Sequence, residues 1–155
     1  MPNPSTYQFN LPQRGRPSDV MLNEVWYPGI QAYWETSTSS RIFDAILGIK
    51  ALVIHATAGS SSAGAVSVMK EGKASFHWLL PDEDEPQHGQ LVWACAPEAR
   101  AAWHVRNSCS HPSINEGADK VNHWSLGIEV VNRQAGSDDF SDWQIEATAQ
   151  IVRYC

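Results

Sequence analysis

The chain has 155 residues and a mass of 17.2 kDa, the length of one compact domain, and its 43% hydrophobic and 18% charged residues are typical of a globular protein rather than a disordered or fibrous one. A formal net charge of -6 without any Lys/Arg cluster argues against nucleic acid as a partner, because the chain would on average repel phosphate groups. Three cysteines without C-x-x-C spacing indicate neither a disulfide framework nor a structural zinc knot.

The first part of the chain is rich in proline and has little periodicity. Residues 1–30 carry five prolines, which predicts an extended arm ahead of a domain over 31–155. No apolar run there is long enough for a signal-peptide core, and no stretch of about 18 apolar residues occurs anywhere. We therefore expect no membrane-spanning segment and synthesis in the cytoplasm, with the site of action left open among cytoplasm, periplasm and cell wall.

The middle of the chain alternates between strand and helix patterns. The apolar run 51–54 predicts a strand that is buried on both faces and ends at His55. Serines 60–62 precede a predicted helix over 63–70, which Gly72 is placed to stop.

Two further strands, over 74–80 and 90–96, are predicted on either side of the acidic segment PDEDEP, whose carboxylates we expect only to face water. A polar loop follows at 107–122. The apolar run 125–131 predicts another strand, and a capping-box pattern at Ser141 begins a predicted helix that reaches the last residue. Because no stop signal ends this helix, we expect the domain to lack its C-terminal part.

Three positions have chemical potential: His55 at the exit of a buried strand, His104 next to Trp103, and Glu129 inside an apolar strand. Burying an unpaired carboxylate is costly, so the pKa of Glu129 is expected to rise, which suits a general base. A histidine at a strand end is more commonly a hydrogen-bonded structural residue. On their own these residues are a weak signal for a zinc hydrolase.

The segments VIHAT, ASFHWLL, AAWHV and NHWSLGIEVVN, in this order, resemble the zinc-dependent N-acetylmuramoyl-L-alanine amidases, the type that includes cell-wall recycling amidases, phage amidases and peptidoglycan recognition proteins. The resemblance covers residues 47–155. It implies an α/β fold, a single domain with a mixed central β-sheet flanked by α-helices. It also implies Zn2+ as cofactor, peptidoglycan or muramoyl-peptide fragments as partners, and hydrolysis of the amide between N-acetylmuramic acid and L-alanine of the stem peptide.

Residue by residue, the resemblance makes His55 the first zinc ligand and Glu129 the acid that activates the zinc-bound water. It places His104 and Trp103 in the wall of the substrate cleft. Phe76 also belongs to the substrate site and stands where some phage members have a tyrosine. Since phenylalanine cannot exchange protons, the proton transfer is expected to fall on Glu129.

Some neighbouring residues are expected to play no part in catalysis. His77 alternates with Phe76 along its strand, so it should face the opposite side and be structural.

The second histidine ligand of the family, and its Asp or Cys ligand, follow the helix that here ends at Cys155. Nothing in the spacing of His123 or Cys155 selects either as a substitute.

Two other interpretations stay open. The first is a non-catalytic peptidoglycan-binding module that keeps the cleft and has lost the metal. The second is a thiol hydrolase that uses Cys95 or Cys109 with His104, for which no Cys-His motif or helix N-terminus that would lower the thiol pKa is visible.

Overall fold

The computed structural model describes residues 37–42, 48–86, 92–96, 98, 100–136 and 138–155, and the predicted N-terminal arm over 1–30 lies outside these residues. We number the elements along the chain, apart from a 3-10 turn at Asn115–Gly117. They are β1 (Thr38–Ser40), β2 (Ala51–Ala56), α1 (Ser62–Lys70), β3 (Trp78–Leu80), β4 (Trp93–Ala94), β5 (Arg100–Ala102), α2 (Val121–Trp124), β6 (Ser125–Val130) and α3 (Asp142–Tyr154).

Four of the strands form one mixed sheet in the order β2-β6-β3-β4. Strand β6 runs parallel to both β2 and β3, while β4 is antiparallel to β3. Strands β1 and β5 pair separately as an antiparallel ribbon. The predicted α/β fold with a mixed central sheet is therefore confirmed.

Strand β6 separates the hydrophobic core from the face that carries the functional groups. Side chains alternate along a strand, so one face of β6 carries Leu126 and its i+2 neighbours and the other carries Ser125 and its i+2 neighbours. The first face is fully apolar and packs against α3, in a cluster that includes Leu126, Ile128, Val130, Ala147 and Ile151. The second face, Ser125, Gly127 and Glu129, is left for polar contacts.

Both predicted helix caps are confirmed. The Ser61 hydroxyl accepts a hydrogen bond from the Gly64 N–H at 3.2 Å, and Gly72 ends α1 in the left-handed region at φ 69. Ser141 and Gln144 form the predicted reciprocal capping box of α3. No helix in the described ranges is both long and apolar enough to cross a membrane.

The acidic segment between the predicted strands does more than face water. The Glu85 carboxylate accepts hydrogen bonds from the Ser62 N–H at 2.8 Å and from the Ser62 hydroxyl at 2.6 Å. The first N–H groups of a helix lack intrahelical partners and favour negative charge. The expectation of purely solvated carboxylates is therefore wrong for Glu85, which ties the loop to the start of α1.

Two strand predictions were too long. The strand predicted over 74–80 begins only at Trp78, because the His77 ring occupies a place in the ladder: its Nδ1 accepts the hydrogen bond of the Gly127 N–H at 2.9 Å. Of the strand predicted over 90–96, residues 90 and 91 lie outside the described ones, and the described remainder forms the strand β4 only at Trp93–Ala94.

The helix predicted at the end of the chain is present. Ile145 and Val152 contribute to its apolar periodicity in the sequence, yet they are 58% and 49% exposed. Gln144 is buried in their place, since its amide donates hydrogen bonds to the carbonyls of Pro81 at 3.0 Å and Val131 at 2.8 Å. A polar side chain is tolerated in the core when its hydrogen bonds are made.

Candidate active site

The two residues singled out for catalysis lie on neighbouring parallel strands. His55 of β2 is the register partner of Glu129 of β6. In-register partners of a parallel pair direct their side chains to the same face, here at the carboxyl ends of both strands. Strand pairing between residues that are far apart in sequence is thus what brings His55 and Glu129 together.

Both side chains line a cavity of about 440 Å³, within the size range of small-molecule sites, roughly 300–1,000 Å³. Phe76 and His104 line the same cavity, together with Gly64, Ala65 and Val68 of α1. The structure therefore brings together four of the five residues that the sequence proposed for the site.

Glu129 is a half-buried carboxylate within this cavity. Burial removes water from the ionised form and raises the pKa of Glu129 to about 7. At neutral pH the group is then present in both protonation states, as a residue that takes up and returns a proton requires. The expectation of a raised pKa, made from the apolar flanks of Glu129, is met.

His104 is held in place from several sides. Its Nδ1 lies 3.2 Å from His55 Nε2, and its Nε2 lies 3.0 Å from the Ser125 hydroxyl. The Asn122 side-chain oxygen accepts hydrogen bonds from the N–H groups of His104 and Val105 at 3.2 and 3.0 Å. Burial, with smaller contributions from His55 and Arg41, lowers the pKa of His104 to about 3, so this imidazole is neutral at physiological pH.

Gly127 makes the position of the His104 ring possible. A Cβ added at Gly127 would lie 2.5 Å from Cγ and 2.8 Å from Cδ2 of His104, closer than van der Waals contact allows. The imidazole rests directly on the bare backbone of β6.

His77 is structural, as its alternation with Phe76 predicted. Its side chain is fully buried, its Nε2 lies 3.0 Å from the Arg100 carbonyl, and its Nδ1 accepts from the Gly127 N–H. Phe76 is buried too and belongs to a second apolar cluster with Met69 of α1.

Arg41 supports the site through hydrogen bonds to the backbone before and at the start of β6. Its guanidinium donates hydrogen bonds to the carbonyls of Asn122, His123 and Ser125 at 3.2, 2.6 and 3.1 Å. These carbonyls belong to the end of α2 and the start of β6, where backbone acceptors lack helical partners. Arg41 thereby fixes the turn from which β6 leaves toward the cavity.

Trp103 is the one candidate that the structure does not bring to the cavity of His55. It lines a second cavity of about 550 Å³, together with Lys73, Arg106 and Lys120, and its indole N–H donates to the Ser39 hydroxyl at 2.8 Å. Its predicted contact with substrate stays a prediction, and any such contact would be made from this second cavity.

The donor set for a metal ion is incomplete in the described part of the chain. No group of three or more His, Cys, Asp or Glu side chains that could hold a metal occurs there, whereas a catalytic zinc takes three protein ligands. His123 lines the second cavity and Cys155 is exposed at the end of α3. These residues do not make up a zinc centre, and His55 is the candidate ligand in the cavity that it shares with Glu129.

The thiol-hydrolase interpretation has no support from Cys95. Its side chain is buried in the second apolar cluster, and burial raises the pKa of the thiol above its usual range. A nucleophilic cysteine requires the opposite shift.

Sequence reasoning missed the residues that position the site, namely Arg41, Asn122, Ser125 and Gly127. One signal was available: in SLGIEV the small residues and the acid occur at every second position, the pattern of a strand face that cannot belong to the apolar core. The contacts of Arg41 and Asn122 carry no comparable signal, because their partners are backbone atoms.

Comparison with solved structures identifies similar folds. The chain is similar to AmpDh3 from Pseudomonas aeruginosa, with 25% identity, a TM-score of 0.56, and coverage of 81% of this chain and 46% of that one. It is also similar to the N-acetylmuramyl-L-alanine amidase AmiD from E. coli, solved with the substrate anhydro-N-acetylmuramic acid-L-Ala-D-gamma-Glu-L-Lys, with 31% identity, a TM-score of 0.52, and coverage of 68% and 44%.

The chain spans less than half the length of either of these proteins. No curated protein sequence gives a significant match. The family model of N-acetylmuramoyl-L-alanine amidases, in contrast, matches residues 47–155, which include the central sheet, the cavity and α3. On this evidence the chain belongs to the N-acetylmuramoyl-L-alanine amidase family.

Proposed function

We propose that this chain hydrolyses the amide bond between N-acetylmuramic acid and the L-alanine of the stem peptide in peptidoglycan fragments. The observation that carries the proposal is the register pairing of His55 with Glu129 in the lining of one cavity, with the pKa of Glu129 close to neutral. Membership of the amidase family supports the reaction class. The muramoyl peptide bound to AmiD supports the substrate class.

In this proposal Glu129 moves the proton. Hydrolysis adds water to the amide carbonyl and breaks the bond between the carbonyl carbon and the nitrogen. Ionised Glu129 takes a proton from the attacking water, and protonated Glu129 returns it to the departing amine of L-alanine. Burial of Glu129 within the cavity keeps its pKa high.

Zinc is the cofactor that we propose, in keeping with a family that is generally zinc-dependent. A bound zinc ion would polarise the amide carbonyl and activate a water molecule. The described residues offer His55 toward it but not a full ligand set, so no step above is assigned to the ion.

The incomplete ligand set also suggests an alternative function. A peptidoglycan-binding module would keep the cavity and need no complete ligand set. Binding without turnover by the wild-type chain would favour this alternative over the hydrolase.

The test follows the release of free stem peptide from anhydro-muramoyl tripeptide by liquid chromatography and mass spectrometry, with and without added zinc. With zinc in excess, because the described ligand set is incomplete, release by the wild-type chain should fall by about 10²–10⁴-fold in E129Q, the range typical of a general base. E83Q is the matched control, because Glu83 is an exposed glutamate of the loop after β3. Equal turnover by E129Q and E83Q would remove Glu129 from its role.

A further inference from the structure

A continuous row of hydrogen-bonding groups leads from the cavity back to α2. His55 Nε2 lies 3.2 Å from His104 Nδ1, and His104 Nε2 lies 3.0 Å from Ser125 Oγ. The Ser125 hydroxyl in turn lies 2.7 Å from the Val121 carbonyl and donates to it. Each distance is within the range of a hydrogen bond, and each link is buried or partly buried.

The hydrogen bond to the Val121 carbonyl determines which atom donates and which accepts in each of the other hydrogen bonds. A backbone carbonyl only accepts, and a serine hydroxyl has a single proton. Since Ser125 gives that proton to Val121, its oxygen can only accept from His104, which must therefore carry its proton on Nε2. A neutral His104 then has a lone pair on Nδ1.

The same assignment of protons and lone pairs applies to His55. A lone pair on His104 Nδ1 requires a donor on the facing atom, so His55 carries its proton on Nε2. The lone pair of His55 is left on Nδ1. His55 makes no other side-chain hydrogen bond within the described part of the chain, so this nitrogen is the one left for a ligand in the cavity that His55 lines.

The His104 ring, which connects Ser125 to His55 through its two nitrogens, cannot easily rotate. Gly127 lies directly beneath His104, with space for no additional carbon. Asn122 fixes the backbone on the other side through both N–H groups of His104 and Val105. A flip of the His104 ring would give up the hydrogen bonds to both His55 and Ser125.

We propose that Ser125 and His104 are positioning residues that hold His55 as its Nε2–H tautomer, so that Nδ1 is the nitrogen presented to the cavity. Histidines that bind a metal or accept a proton commonly have the second ring nitrogen fixed by a donor–acceptor pair of this kind. The use of this nitrogen in amide hydrolysis rests on the proposed function, whereas the tautomer itself does not.

The test is nuclear magnetic resonance on the 15N-labelled chain without added metal. Long-range 1H–15N correlation should place one proton on Nε2 of each of His55 and His104. A scalar coupling should connect His55 Nε2 with His104 Nδ1 across the hydrogen bond. A proton on Nδ1 of either ring would overturn the inference.

Variants distinguish a positioning role from a merely structural one. S125A removes the acceptor and should abolish the coupling, whereas S125T retains a hydroxyl and should restore it. S67A is the control, since Ser67 is exposed on α1. Because S125A alters a buried position, H104N is a second probe: its side-chain oxygen can replace Nδ1 as acceptor and should keep the proton on His55 Nε2.

An unchanged coupling in S125A would refute the role of Ser125. Loss of the His55 Nε2 proton in H104N, with the amide spectrum otherwise preserved, would refute the role of His104. The outcome is separate from that of the hydrolysis assay: the expected tautomers in a chain without turnover would contradict only the proposed function.

Discussion

Glu129→Gln should stabilise the folded chain at neutral and alkaline pH. Burial raises the pKa of Glu129 from 4.5 to about 7, and one pKa unit corresponds to about 1.4 kcal/mol. The folded state therefore disfavours the ionised carboxylate by roughly 3 kcal/mol. Because the group is partly solvated, we expect about 2–3 kcal/mol in practice, a large share of the total stability of a small domain.

The direction of the pH dependence follows from proton counts. Below pH 4.5 Glu129 is protonated in both the folded and the unfolded chain, so the contribution of its raised pKa to stability is fully present. Between 4.5 and about 7 the unfolded chain has lost the proton and the folded chain has kept it, so stability falls as the pH rises. Above pH 7 the loss is complete.

Urea unfolding of wild type, E129Q and the control E83Q, at half-unit intervals from pH 4 to pH 9, measures this difference. The advantage of E129Q over wild type should grow through the interval between the two pKa values and then level off. E83Q should follow wild type at every pH. Parallel curves for wild type and E129Q would show that the carboxylate is not buried as the cavity geometry requires.

Other substitutions examine the supporting structure. Gly127→Ala places a methyl group against His104 and should cost about 1–3 kcal/mol in urea unfolding, the usual range for overpacking, with a displaced His104 signal in the NMR spectrum; wild-type stability would mean that the ring does not lie on β6. Gln144→Leu leaves the two carbonyls that it bonds without a donor and should cost about 1–3 kcal/mol, whereas exposed Gln150→Leu should be neutral, and equal effects would contradict the buried hydrogen bonds. Zinc titrated into the chain by calorimetry should bind weakly, since the described residues offer no group of three ligands; a tight one-to-one complex would contradict this and require further ligands.

The sequence predicted well those features that depend on neighbouring residues. Caps at Ser61 and Ser141 and the stop at Gly72 were correct because each involves side chains or backbone within a few positions. Strand β6 was predicted within one residue, since its apolar run is continuous. That His55 and Glu129 belong to one site was inferred from family resemblance, and the parallel register of β2 and β6 supplies the physical cause.

Features that depend on distant contacts could not be predicted. Gln144 is buried because two carbonyls from other elements need a donor, and Glu85 is drawn to a helix that starts 23 positions earlier. Trp103 and His104 are adjacent in sequence, yet they line different cavities. Both residues follow the end of β5 at Ala102, and no sequence periodicity at that point indicates which way each side chain lies.

Strand β6 divides its residues between two faces by parity: Glu129 lines the cavity while Ser125 and Gly127 contact His104, and every even position belongs to the hydrophobic core. A deletion or insertion of a single residue within it would exchange the two sets, placing a carboxylate among aliphatic side chains and leucine in the cavity. In laboratory evolution this strand should accept aliphatic exchanges at its even positions and reject every length change. The loops on either side are where a library can vary length without scrambling that assignment.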